Sequence, residues 1–157
     1  MNFDWSEIGK VISYIIPVII FLLFNVVFRK QREKQGQLEV VKGLLSEIEY
    51  NSNLADMFSM RSQIKNFKIA TWKRNRDKIG FIDQDLYSTL ADAYEIAEGF
   101  NRDIDVAKKN KSMSYIAGIN VTRLIKPLTM SKQGLEEWLE LNKSNKKSKL
   151  ADLIHKS

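Results

Sequence analysis

Between Lys10 and Arg29 lie 18 consecutive uncharged residues, VISYIIPVIIFLLFNVVF, of which 14 are Val, Ile, Leu or Phe. At about 1.5 Å per residue this run makes a helix of roughly 27 Å, close to the hydrocarbon thickness of a bilayer. Its apolar side chains favour insertion by roughly 4 to 8 kcal/mol in total, enough to outweigh Ser13, Pro17 and Asn25. Lipid-embedded helices tolerate a mid-span proline such as Pro17. Residues 11–28 are therefore expected to form one transmembrane helix. Two other readings fit less well. A cleaved signal peptide has a basic start, a shorter apolar stretch and a small-residue cleavage site, whereas here Asp4 and Glu7 precede the run and Arg29-Lys30 come directly after it. A buried core helix is seldom apolar on every face.

Flanking charge sets the expected orientation. Arg29, Lys30, Arg32 and Lys34 come after the run with Glu33 as the only acid among them, while Lys10 stands against Asp4 and Glu7 before it. The positive-inside rule then puts the C-terminal side in the cytoplasm, at the inner face of a cell membrane, and the N-terminus outside. The expected organisation is a short external N-terminus (1–10), the span (11–28), a basic juxtamembrane segment (29–36), a helical cytoplasmic domain (37–142) and a basic, flexible tail (143–157).

Beyond the run the chain is charged, and the whole carries a net charge of +6. With 7 Gly and only 2 Pro among 157 residues, long helices are easier to build than many short strands. The absence of cysteine removes disulfides, thiolate catalysis, thiolate zinc sites and iron–sulfur clusters.

The soluble part reads as helical. Leu38, Val41, Leu45, Ile48, Ala55 and Phe58 recur at helical spacing and predict a helix over 37–65, continuous with the span unless Gly36 or Gly43 breaks it. Residues 66–82 form a connection in which Thr71 caps a short helix from Trp72 and Gly80 ends it. Asp83 caps the next helix, with Leu86, Leu90, Ala93, Ala97, Phe100 and Ile104 on one face, ending near 108–111. A further helix starts at Ser112 or Ser114, is bent or interrupted at Pro127, and resumes after a cap at Ser131. The fold class is all-α: a single N-terminal transmembrane helix followed by a three- to four-helix antiparallel domain.

That antiparallel arrangement carries an electrostatic expectation. A returning helix would bring Lys108, Lys109 and Lys111 beside Arg29, Lys30, Arg32 and Lys34, so that seven basic side chains face lipid headgroups. A second, distal basic patch gathers Arg61, Lys65, Lys68, Lys73, Arg74, Arg76 and Lys78 against Asp77 alone, with the tail lysines near the same end. The helix between carries Asp83, Asp85, Asp92, Glu95, Glu98, Asp103 and Asp105, and an acidic shaft between basic ends suits docking to a charged partner or another copy.

No catalytic, cofactor or metal site is expected. The single histidine, His155, lies in the tail, and no phosphate-binding loop or nucleophile elbow is present. Glu47 and Asn51 on one helix, and Tyr94 and Asn101 on the next, are expected to meet as a buried polar network that fixes packing. An enzyme using Glu47 and Tyr94 is a weaker alternative. Nucleic acid is disfavoured: Phe67, Trp72 and Phe81 interleave with the distal basic residues, but no binding motif accompanies them.

The apolar N-terminal span, the basic stop, LLSEIEYNSNL at 44–54, the Trp72-containing connection and LYSTLADAYEIAEGFN at 86–101 together resemble a class of small, uncharacterised bacterial and phage single-pass membrane proteins. The resemblance covers residues 8–105, rests on Glu47, Asn51, Trp72, Tyr94 and Asn101, and implies a cytoplasmic helical domain without a transferable activity. The expected function is a membrane-tethered protein-interaction or scaffold module whose partners are membrane lipids and a protein or a second copy. The alternative is a membrane-active effector of phage exclusion, lysis or abortive defence. It would oligomerise through Ser13 and Asn25 in the span, although the span lacks a small-xxx-small face.

Overall fold

The structure, a computed structural model, describes residues 5–58, 65–111 and 120–154, with side chains described from 15 to 143 within those ranges. All regular elements among them are helical: α1 (Trp5–Asp56), α2 (Ala70–Asn75) followed by a 3₁₀ turn (Arg76–Lys78), α3 (Gln84–Lys109) and α4 (Thr122–Ile154). The chain divides into two compact units, Met1–Gln37 and Leu38–Ser157.

The first unit is the N-terminal part of α1. Its described side chains from Ile15 to Phe28 point outward, and its large apolar residues are 46% to 66% exposed. Their local contacts match the helix repeat, as in the stacking of Phe24 on Phe28 at 5.9 Å. Arg29 and Lys30 end the apolar run. Among the described residues no helix is long and apolar enough to cross a membrane.

The second unit holds the core. From Leu38 to Asp56, α1 buries Val41, Leu44, Ile48, Leu54 and Ala55 on one stripe, with Phe58 just beyond it. The spacing of three and four along this stripe makes an amphipathic helix that must pack against something. The predicted helix to residue 65 is shorter than expected: it stops at Asp56, and residues 59–64 lie outside the described ones. Residues 65–69 carry no regular structure and run back along α1, since Lys68 pairs with Asn51 and Thr71 pairs with Glu47.

That return decides the direction of α3. Glu47 meets Tyr94, and Phe58 stacks on Phe67, which packs on Phe100. Rising residue numbers in α1 thus match rising numbers in α3, so the two run in the same direction rather than antiparallel. An antiparallel return requires a tight link, whereas this connection travels the length of the core before α3 begins. Helices α3 and α4 are antiparallel, with Phe81 against Trp138 at one end and Arg123 over the Phe100 ring at the other. Where they cross, Gly134 allows the approach: a Cβ there would come within 2.6 Å of Leu86 Cδ1.

Helix ends obey local chemistry in some places and not in others. Asp83 caps α3 as expected, accepting from the Leu86 amide at 2.8 Å. Helix α2 starts at Ala70 after Ile69, which has no capping side chain, so Thr71 is not its cap. Helix α4 begins where Asn120 accepts from the Thr122 amide at 2.9 Å; Ser112 and Ser114 lie outside the described residues. Pro127 does not interrupt α4. It sits in the second turn, where a missing N–H removes one helical hydrogen bond. Ser131 is not a cap either. It is fully buried inside α4, and its Oγ has no hydrogen-bond partner.

Candidate functional site

The most ordered polar chemistry in the second unit surrounds the return segment. A non-helical stretch packed inside a helical domain needs partners for its backbone N–H and C=O groups. Three side chains supply them. Asn51 of α1 accepts from the Lys68 amide and donates to the Lys68 carbonyl, both at 2.7 Å. Asn101 of α3 does the same to Phe67, accepting at 2.7 Å and donating at 2.9 Å. In extended chain, neighbouring residues present their N–H and C=O pairs to opposite sides. One asparagine from each flanking helix therefore clasps the segment as a neighbouring strand would.

Glu47 completes the arrangement. Its Oε1 accepts from the Thr71 amide at 3.0 Å, and its Oε2 accepts from the Trp72 amide at 3.2 Å and the Tyr94 hydroxyl at 3.0 Å. Thr71 and Trp72 lie in the first turn of α2, so Glu47 satisfies amides that Ile69 leaves without a cap. The carboxylate is buried, 5% exposed, and is held by these three donors. Burial, and then the charge and hydrogen bond of Glu47, raise the Tyr94 hydroxyl far above its ordinary value of 10.0. Tyr94 remains a protonated donor across any physiological pH.

The four residues of the expected network thus occupy one region but in a different pattern. Glu47 and Tyr94 meet directly. Asn51 and Asn101 meet the backbone between the helices rather than the opposite helix. The missed participants are Phe67, Lys68, Thr71 and Trp72, which contribute main-chain atoms. The available signal was a pair of asparagines facing inward beside a stretch, NFK, without helical periodicity.

Aromatic rings close the region. Trp72 is 6% exposed, stacks on Tyr94 at 5.0 Å with a 7° interplanar angle, and meets Tyr87 at 5.6 Å. Trp138 is half-buried against Phe81. Phe67 and Trp72 are core residues, so they offer no exposed platform for base stacking. A cleft of about 400 Å³ opens beside Trp72 and Tyr87, with Arg76, Glu95 and Glu98 on its rim.

The expected basic patches are distributed differently from the sequence reading. Lys68 places its ammonium 4.0 Å from the Tyr50 ring centroid, Lys73 pairs with Glu98 at 2.9 Å, and Arg76 approaches Asp77 at 3.8 Å. Lys65, Arg74 and Lys78 are exposed, and Arg61 lies outside the described residues. The patch is strung along the return segment and α2 instead of being gathered at one end. Lys108 and Lys109 end α3 and Lys111 follows its cap; Lys108 Nζ donates to Asn66 Oδ1 at 2.7 Å. Asn66 adjoins Phe67, which stacks on Phe58, so these lysines lie at the far end of the Leu38–Asp56 segment. Arg29, Lys30, Arg32 and Lys34, with which they are expected to gather, belong to the other compact unit. In the first unit Arg29, Lys30 and Arg32 are exposed and Lys34 is partly so.

Among the described residues no group of His, Cys, Asp or Glu could hold a metal ion. No family model, curated protein or solved structure matches the chain.

Proposed function

We propose that this chain is a membrane-tethered helical interaction module, anchored by residues 11–28 and carrying its second unit on the cytoplasmic face. The observation that carries this reading is the outward apolar surface from Ile15 to Phe28, whose large side chains are about half exposed or more and which ends abruptly at Arg29 and Lys30. An apolar surface of that extent needs lipid or another chain to cover it. The basic stop supports a cytoplasmic placement of the second unit.

Within the second unit the polar groups support a binding scaffold rather than catalysis. Glu47 and Tyr94 are buried and bonded to one another, and both carboxylate oxygens of Glu47 are used on the protein's own backbone and Tyr94. Exposed apolar side chains on α3 and α4, including Val106, Met130 and Leu141, leave surface for a protein partner.

Crosslinking of the full-length protein in native membranes, with identification of its neighbours, tests the proposal. A defined partner, or a self-crosslink of fixed stoichiometry, is the expected result. Release of the chain by alkaline carbonate removes the tether reading. If expression collapses the membrane potential and Asn25→Leu abolishes the effect, the chain is instead a membrane-active effector.

A further inference from the structure

Resting on the interaction-module reading, we propose that the partner is a second copy of this chain, and that the basic end of α4 in one copy docks in an acidic groove between the start of α3 and α4 of the other. The groove has a volume of about 340 Å³. Part of its lining is apolar: Trp138 is half-buried there, and Met130 and Leu141 are 49% and 67% exposed. Asp83, Asp85 and Glu137 also line it, and no lysine or arginine does. None of these three carboxylates enters an ion pair among the described residues. A groove that combines apolar side chains with charge of one sign fits an amphipathic helix of the opposite sign.

The chain itself carries such a helix. Helix α4 runs to Ile154, whereas its last buried residue among those described is Leu139. In the stretch from Lys143 to Ile154, Lys143, Lys146, Lys147 and Lys149 stand against Asp152 alone. Leu150, Leu153 and Ile154 recur there at spacings of three and four, the pattern of one apolar face. This segment cannot enter the groove of its own copy. It continues the same helix that lines that groove, and at about 1.5 Å per residue Ile154 lies roughly 20 Å further along the axis than Leu141. A second copy can accept it. Each copy offers both a groove and a basic helix, so a pair exchanges two such contacts. The second contact forms within an already joined pair, which makes two weak contacts count as one stronger association.

The chain has no cysteine, so introduced ones are specific. Full-length Gln133→Cys and Ser148→Cys proteins with different tags are mixed, reconstituted together in liposomes and oxidised. Gln133 is exposed on the groove, and Ser148 lies among the lysines without being one of them. A disulfide between position 133 of one copy and 148 of the other is expected, in excess over either like pair. Adding Asp85→Lys and Glu137→Lys to the groove protein should abolish it, with Asp83 left in place because it caps α3. Adding Lys146→Glu, Lys147→Glu and Lys149→Glu to the other protein should abolish it too. Mixing the two reversed proteins should restore it, which also shows that both are folded. No 133–148 disulfide, one that survives either reversal, or no restoration by the reversed pair overturns the proposal. Loss with the lysine reversal alone means that lipid holds the segment, and overturns it as well. A defined neighbour of another kind in native membranes without the 133–148 disulfide removes the second copy and leaves the interaction module standing; the absence of any neighbour removes both.

Discussion

Glu47 binds two amides and a phenol at once, and its replacement tests each of those contacts. In Glu47→Ala the Thr71 and Trp72 amides and the Tyr94 hydroxyl lose their acceptor in a water-poor interior. The expected loss is about 3 kcal/mol, read by urea unfolding of the reconstituted protein. Glu47→Gln should cost about 2 kcal/mol, because its amide nitrogen would face a donor. Tyr94 gives a pH signature. Its folded-state pKa is raised, so its contribution is fully present below the ordinary value of 10.0 and is lost as pH rises beyond it. Stability should therefore fall above about pH 10 in the parent chain, and part of that fall should vanish in Tyr94→Phe. Difference absorbance at the phenolate band should show one tyrosine that does not ionise until the fold is lost. Polar residues at helical spacing make Glu47, Asn51, Tyr94 and Asn101 readable as one set, although Asn101 is only half-buried. Their true partners are hidden, because a side chain that bonds main chain leaves no complementary residue type in the sequence.

Elements, too, are legible where a side chain marks them. Asp83 announces α3, and the apolar stripes of α1 and α3 announce their buried faces. The start of α2 carries no such mark, since its amides are satisfied by a glutamate 24 residues earlier. The direction of α3 is unreadable for a related reason: only the pairings of Phe67 and Lys68 show that the connection runs back along α1. Amide hydrogen exchange should find Phe67 and Lys68 protected nearly as well as the helix cores, with Lys65 exchanging fast. Asn101→Ala should remove that protection at Phe67 and cost about 2 kcal/mol. At the end of α3, Lys111 adopts a left-handed conformation, φ 50°. A glycine fits there without the Cβ penalty, so Lys111→Gly should raise stability by about 1 kcal/mol in thermal unfolding.

For the whole molecule, the decisive property is the contrast between an outward apolar helix and a domain with its own core. A C-terminal reporter that works only in the cytoplasm should be active in the full chain. On the proposed tethered reading, neutralising Arg29, Lys30, Arg32 and Lys34 together should give mixed orientation, because the flanking charge bias would be gone. The all-helical character is readable from composition and periodicity. The arrangement of charge within the second unit is not, since it depends on the route of one connection.

That route makes the protein unusual as a protease substrate. Stretches without regular structure are normally cut first, yet residues 67 and 68 are gripped on both sides and Phe67 is 3% exposed. Cleavage at this point should await opening of the entire domain, so its rate reports global unfolding instead of local fraying.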